Sequence, residues 1–312
     1  MPRAGGGGRR WAAAATKEAA GGGDAWENEA VPEGDTVWLA AQRLHAALAG
    51  QVLTTSDFRV PQLATTDLTG RVVLEVVPRG KHLLTRIEGG LTLHTHFRMD
   101  GSWHLYRPGE PRRGGPDWQV RVILANAAWE AVGYRLPVVE LRATAEEEQF
   151  VGHLGPDVLG PDWDLNEAVH RLQQQPTQEI GMALLDQRNL AGIGNLYRTE
   201  ALFLRGLTPW VTVADVPDLP GLVENARKLM TANKGRIEQS TTGSLRRGET
   251  HWVFERQGRP CRRCGSGILS AEQGDPPRQR LSYWCPQCQL GPAPEPAVTR
   301  RPRPLGRTRY SP

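Results

Sequence analysis

Val31-Pro32-Glu33-Gly34-Asp35-Thr36-Val37-Trp38 reads like the opening of a protein, although 30 residues precede it. A helical pattern follows at once. Val37, Ala41, Leu44 and Leu48 fall on one face, and Gly50 is placed to end the helix. In a chain cut to begin at Pro32, that residue carries a free secondary amine beside the positive end of the helix. The dipole disfavours the ammonium form there and so favours a nucleophile. A secondary amine that attacks a sugar aldehyde carbon gives an iminium, which is cationic without further protonation and acts as an electron sink. Glu33, next in line, is a candidate general acid. The same residues also suit an ordinary loop-to-helix junction, because proline is favoured near a helix start. The rest of the chain has to decide between the two.

Upstream, residues 1–30 are rich in Gly and Ala without periodicity, and are expected to be a disordered leader or a mis-called start. Arg9 and Arg10 precede an alanine run, but Lys17 interrupts it and no leucine-rich core follows, which argues against a signal peptide. Downstream, β-like runs occur at 72–77, 83–87, 91–97 and 120–125. With Gly89-Gly90 and Gly114-Gly115 as turns, they predict an antiparallel sandwich or barrel. Arg79-Gly80-Lys81-His82 is a turn entering the second run. His94 and His96 alternate along the third and share a face. No third metal ligand is apparent near them, so structural or phosphate-contacting roles fit better. Arg98-Met99-Asp100-Gly101 closes that strand, with a Met that could wedge into a base stack or belong to the core.

Gly155-Pro156-Asp157 reads as a domain linker, and the pattern beyond it turns helical. A helix is expected over 180–185. Asn189-Leu190-Ala191-Gly192-Ile193-Gly194-Asn195 then breaks it, and a second helix runs from 196 to about 204 with Asn195 as its N-cap. Amides at such a helix start suit an anion, for which a DNA phosphate is one candidate. The most specific local signal is Cys261-x2-Cys264 and Cys285-x2-Cys288, which hold all four cysteines with 20 residues between the pairs. Two such knuckles provide closed tetrahedral thiolate coordination for one structural Zn²⁺. Disulfides are the alternative, but nothing marks the chain as secreted. The hairpin between the pairs carries Arg278 and Arg280, and Tyr283 and Trp284 abut the second knuckle.

Length suits one large or two modest domains, and no apolar run is long enough to cross a membrane. The net charge of +4 is unevenly placed. Residues 246–290 hold eight Arg against four acids, and 291–312 hold five Arg against one Glu, so residues 1–245 carry a net −4. A basic C-terminal module on a mildly acidic body points to a localised nucleic-acid contact. The chain uses 34 Arg and only four Lys, at 17, 81, 228 and 234. Where charge alone is wanted such a chain uses Arg, so Lys81 marks a place suited to a compact, titratable amine.

These pieces in order resemble the formamidopyrimidine-DNA glycosylase / endonuclease VIII family of base-excision repair enzymes. The resemblance spans 31–289 and rests on Pro-Glu-Gly, Arg-Gly-Lys, Gly-Pro-Asp, Leu-Ala-Gly-Ile-Gly-Asn and the four-cysteine finger. It implies an α+β fold: an N-terminal antiparallel β-sandwich with flanking helices, then a helix-two-turn-helix domain with a four-cysteine zinc finger, and DNA in the cleft between. The expected division is a catalytic domain over 31–150, a helix-two-turn-helix domain over 151–250, the finger over 251–290 and a disordered basic tail over 291–312. The resemblance assigns Pro32 as the nucleophile on C1′, Glu33 as proton donor, Lys81 to β-elimination and phosphate contact, and Arg280 to δ-elimination. Asn195 and His153 match phosphate contacts. Met99, with Arg98 beside it, matches the residue that fills the gap left by a flipped base.

Pro-Glu-Gly-Asp-Thr-Val and Tyr-Trp-Cys look more like the endonuclease VIII branch, which implies oxidised pyrimidines. Arg98-Met99-Asp100 departs from a common wedge pattern of that branch. The alternatives are a formamidopyrimidine-type glycosylase for oxidised purines and a non-catalytic damage-binding zinc protein. Also expected are damaged DNA as partner, one Zn²⁺ with no organic cofactor, no membrane association, a monomer, and a cytoplasmic, nucleoid-associated location. The mechanism needs a free amine on Pro32. In a GC-rich gene a GTG codon can initiate, and it reads as Val when a start is set too far upstream. The expected start is therefore Val31, with Pro32 as the mature N-terminus.

Overall fold

The computed structural model describes residues 32–277 and 279–294. The expectations for residues 1–30, Val31, Arg278 and the tail beyond 294 lie outside the described residues.

Helix α1 (Gly34–Leu48) is the expected one, and Val37, Ala41, Leu44 and Leu48 are all buried. Its apolar stripe closes a core between two four-stranded antiparallel sheets. The first is ordered β2 (Val73–Arg79), β3 (His82–Ile87), β4 (Leu91–His96) and β8 (Val138–Ala143). The second is ordered β1 (Thr55–Phe58), β6 (Val120–Ala125), β7 (Glu130–Tyr134) and β5 (Ser102–Tyr106). Alternation sends Leu83, Val73 and Leu93 of the first sheet and Val122 and Leu124 of the second inward. The turn 98–101 crosses from β4 to β5 and so links the two layers. A short helix α2 (Glu148–Val151) lies on the outer face of the first sheet, where Phe150 and Val151 pack near Leu84.

The second core is helical, built by α3 (Leu165–Gln173), α4 (Ile180–Leu185), α5 (Asn195–Arg205) and α6 (Leu219–Asn233). The hairpin of β9 (Leu269–Gln273) and β10 (Arg280–Trp284) lies beside it, with Cys261, Ile268, Tyr283 and Cys285 in the same cluster.

Gly155-Pro156-Asp157 is a packed joint rather than a free linker. Asp157 is buried, and its Oδ2 accepts the Gly80 N–H at 2.7 Å. Its Oδ1 accepts the Leu159 N–H at 3.0 Å. Gly80 has φ +58°, and a β-carbon there would come 2.9 Å from Ala191 Cβ. Only glycine therefore lets the Arg79–His82 turn lie flat against the second domain. Gly80→Ala should lower stability by about 1–3 kcal/mol. Adding Ala191→Gly should restore part of it, since that relieves the clash but not the left-handed backbone. Denaturant melts of the single and double variants would measure both.

Candidate active site

Pro32 stands just before α1, half-buried, and lines a cavity of about 360 Å³ with Thr36, Phe97, Met99, Trp103 and Arg135. The residue after it dominates the surroundings. Glu33 is fully buried, and its carboxylate reaches across the domain boundary to α5. Oε2 accepts the Gly194 N–H at 2.8 Å and Oε1 the Leu196 N–H at 2.7 Å. The Gly34 N–H donates in turn to Gly192 O at 3.0 Å.

Two expectations change here. The N-cap of α5 is Gly194, not Asn195, and no side chain of its own segment caps it. The anion that takes the Gly194 and Leu196 amides is the carboxylate of Glu33, so those donors are not free for a phosphate. The physical need is the same: orphan amides at a helix start attract negative charge. Asn195 faces elsewhere. Its Nδ2 donates to Leu281 O at 2.9 Å, and its Oδ1 accepts from Arg198.

Lys81 brings its amine to the same point. A β-carbon on Gly194 would lie within 2.6 Å of Glu33 Oε1 and closer still to Lys81 Nζ, so glycine at 194 keeps this space open. Burial raises the Glu33 carboxyl to about 7. The Lys81 ammonium and the two backbone amides oppose the shift, and the neighbouring Asp35 adds to it. Burial also pulls the Lys81 amine below its usual range; Glu33 and Asp35 resist, while Arg280 and Arg198 reinforce the drop. The site thus holds an acid that keeps a proton near neutrality and an amine that gives one up more easily than usual. Arg280, exposed at the start of β10, is close enough for its charge to act on both Lys81 and Arg198.

Several residues here were not singled out in the sequence. Asp35 is buried, accepts the Tyr197 hydroxyl at 2.5 Å, and takes Gln239 Nε2 on both oxygens at 3.0 and 3.1 Å. Its carboxyl is likewise raised by burial. Arg198 is fully buried, donating to Asn195 Oδ1 at 2.7 Å, Gln273 Oε1 at 2.9 Å and Ser282 Oγ at 2.7 Å. It thereby pins the hairpin that carries Arg280 to the start of α5. Burial lowers its guanidinium to about 9. Its place one turn after Asn195, on the same helix face, was the available signal.

The histidine face is larger than expected. His82 Nδ1 lies 2.8 Å from His94 Nε2, and His94 Nδ1 lies 3.3 Å from Glu140 Oε2. His96 meets the His82 ring edge-on, and exposed His153 does so at 6.4 Å. Burial takes His82 down to about 3 and His96 to about 4, so both rings are neutral at physiological pH. His153 lies against His82, and Lys81 is near enough to His96 for its charge to act there, so both border one polar face. Met99 and Arg98 sit on the turn above Pro32. Both are exposed, and Arg98 has a left-handed φ of 49°.

All four cysteines are unpaired, and their Sγ atoms lie within 4.8 Å of one another. Cys261–Cys288 at 3.9 Å and Cys264–Cys285 at 3.4 Å are far beyond a disulfide. They suit tetrahedral thiolates about a metal with bonds of about 2.3 Å.

The N-terminal domain of formamidopyrimidine-DNA glycosylase matches residues 31–142, and the helix-two-turn-helix domain of the same enzyme matches 154–232. A probable endonuclease 8 2 of Streptomyces coelicolor is 58% identical over 279 residues, covering 88% of this chain and 99% of the relative. The chain belongs to the formamidopyrimidine-DNA glycosylase / endonuclease VIII family. Another relative, the DNA-(apurinic or apyrimidinic site) lyase Nei2 of Mycolicibacterium smegmatis, is 42% identical, covering 83% of this chain and 99% of its own. The family fold is matched by a Lactococcus lactis formamidopyrimidine-DNA glycosylase solved with N7-benzyl-Fapy-dG DNA. Its TM-score is 0.68 at 23% identity, covering 83% of this chain and 100% of that one. Among the described residues no helix is long and apolar enough to cross a membrane.

Within this family frame the buried Arg198 is the testable tie between finger and site. Arg198→Ala removes the donor to Asn195 Oδ1 and Ser282 Oγ and leaves Gln273 Oε1 with its Ser282 bond alone, at about 1–3 kcal/mol for each buried group left unpaired. The variant should melt clearly lower in zinc-replete buffer, and Arg198→Lys should recover only part, as one ammonium cannot span all three acceptors.

Proposed function

We propose that this chain, a DNA glycosylase and abasic-site lyase of base-excision repair, removes oxidised pyrimidines through a Schiff base on Pro32. Damaged DNA is its partner. The observation that carries the reading is the convergence of Pro32, Glu33 and Lys81, with Arg280 within electrostatic reach.

In this reading the Pro32 nitrogen attacks C1′ of the damaged nucleotide and the base leaves. The departing base takes the N–H proton of Pro32, and the proton held by Glu33 goes to the ring oxygen as the nitrogen lone pair breaks the C1′–O bond, opening the sugar and forming the iminium. That iminium acidifies the C2′ hydrogen, and loss of the proton expels the 3′ phosphate. Lys81, with its lowered amine, is the candidate base and borders the phosphate. Arg280 serves the second elimination at the 5′ side. Met99 fills the gap left by the extruded base, and Arg98, His153 and Asn195 lie along the backbone track. Asn195 has side-chain partners already, so its contribution runs through the Leu281 carbonyl and Arg198 as much as through DNA.

The thiolate cluster suits one Zn²⁺ in Cys261, Cys264, Cys285 and Cys288, where four thiolates leave no open position and the ion is structural. It supplies no chemistry. The finger's own residues hold the β9–β10 hairpin and Arg280. Metal analysis should return about one zinc per chain. Cys264→Ser should lose both the metal and DNA binding. Active protein devoid of zinc would refute this part.

The amine mechanism is tested by borohydride trapping on abasic DNA. A polypeptide beginning at Pro32 should cross-link, and one that keeps residues 1–31 joined to it should not, because an amide nitrogen has no available lone pair. A cross-link with those residues still attached would overturn the role of Pro32. The pH dependence follows from Glu33. An acid at about 7 is protonated below that value and loses its proton above it. Single-turnover Schiff-base formation, read by borohydride trapping, should therefore fall about tenfold per pH unit above 7, and that limb should vanish in Glu33→Gln along with most of the rate.

A further inference from the structure

One exposed aromatic has no part in the reaction just described. Trp118 is 73% exposed, more so even than Met99 at 68%. Both lie at the same end of the second sheet. Tyr134 of β7 pairs with Val120 of β6 on one side and Ser102 of β5 on the other. Trp118 stands two residues before Val120, and Met99 three before Ser102. Arg135, just after Tyr134, ties the two segments together. Its Nε donates to Asp100 O at 3.0 Å, its Nη1 to Gln119 Oε1 at 2.5 Å, and its N–H to Gln119 O at 2.8 Å. Like Arg98, Arg135 is held at a left-handed φ, here 48°. The rim of this sheet therefore presents Trp118, Arg135 and Met99 in a row. Neighbouring strands are about 4.8 Å apart, so the strand ends that lead to Trp118 and Met99, with β7 between them, are separated by about 10 Å.

The rim is also basic. At this end Arg59, Arg98, Arg121 and Arg135 stand against Asp57, Asp100 and Asp117, a net +1 on a body that is otherwise acidic. Arg121 Nη1 donates to Trp118 O at 3.0 Å, and Arg59 pairs with Asp117 at 2.7 Å. The indole is thus carried on a loop braced by arginines on both sides. An exposed aromatic on a cationic rim is the arrangement on which nucleobases stack.

We propose that Trp118 is a second nucleic-acid contact, stacking on a base of the strand opposite the one held at Pro32. This rests on the reading of Pro32, Lys81 and Met99 given above. The choice of strand follows from the two layers. Lys81 and His153 belong to the first sheet and its flank, and the turn bearing Met99 crosses from that sheet to the second. Trp118 belongs to the second layer, so the turn bearing Met99 stands between it and the Lys81 layer in the order of the strands. A backbone gripped at Lys81 with its gap filled at Met99 leaves the complementary strand as the one that reaches the rim of the second sheet. Arg135 is the positioning residue for this pair, since it fixes both loops through one guanidinium.

The test uses a duplex with a tetrahydrofuran abasic analogue, and the same lesion strand alone. Trp118→Ala should weaken duplex binding about tenfold and single-strand binding less than twofold, with an unchanged melting temperature. Trp118→Phe should recover most of the loss. With 2-aminopurine placed opposite or next to the opposite position, the wild-type protein should quench it and Trp118→Ala should not. Equal losses on both substrates, no loss on either, or unchanged 2-aminopurine quenching would overturn the proposal. Borohydride trapping by the unsubstituted protein reports on Pro32 alone, so a failure there speaks against the reaction and leaves the Trp118 result to be read separately.

Discussion

The carboxylate of Glu33 is the point on which the two domains agree. It belongs to the first turn of the N-terminal domain, yet it caps the first helix turn of the site in the C-terminal one. When the carboxyl is ionised each bond to a backbone amide is charge-assisted, of the kind that contributes about 1.5–3 kcal/mol. The helix dipole adds to this at the N-terminus of α5. Against these stands full burial, and the outcome of that contest sets the group near neutrality. A surface aspartate at the same helix start would cap better and hold no proton. The chain thus gives up some capping strength for an acid that still holds a proton near neutrality. Pro32 is placed by the same contact, because it is the residue joined to Glu33.

A second set of ties fixes the angle from which the finger approaches. Arg198 and Asn195 form one unit on the first two turns of α5, and they hold Leu281, Ser282 and Gln273 of the hairpin. The four-cysteine cluster sets the hairpin's base, and this polar unit sets its tip. Asp157 does the corresponding work for the Lys81 turn, and Asp35, through Tyr197 and Gln239, for the segment beyond α6. Four pieces of chain far apart in sequence meet at one place, each held by a buried polar side chain from another. Buried polar networks of this kind are expensive when incomplete, and here their members are hydrogen-bonded to one another.

Much of the architecture could be read from local patterns. The stripe of Val37, Ala41, Leu44 and Leu48 announced α1, and continuous apolar runs announced β2, β3, β4 and β6 with errors of one or two residues. The four-thiolate spacing could be read outright. Edge strand β1, Thr-Ser-Asp-Phe, was silent because it is short and polar. Strands β5, β7 and β8 were missed because Trp, His, Gly and Glu interrupt their alternation. Helix α6 went unread although Asp218, Pro220 and the spacing of Leu222, Val223, Ala226 and Met230 signal it. The site was legible as a set of residues but not as an arrangement. An arginine inside a helix reads as solvent-facing, so nothing local betrays that Arg198 is buried. The occupant of the Gly194 and Leu196 amides lies some 161 to 163 residues away, and no periodicity reports on that distance. His82 joining this histidine face was open to inference from cross-strand register, where it stands opposite His96, had the strand start been fixed one residue earlier.

The reach of Glu33 also bears on when this molecule becomes competent. Contacts between residues so distant in sequence form late, since the intervening loop must close first. During synthesis the sandwich can collapse on its own core while α5 is still inside or absent from the ribosome. Until α5 docks, Glu33 has no amides to accept, Lys81 has no Gly194 to lie against, and the acid has no burial to raise it. A half-made or truncated chain would therefore hold Pro32 without the neighbours that surround it in the finished one. Competence to cut DNA is reserved for the finished molecule, a useful property in an enzyme whose intermediates are broken strands.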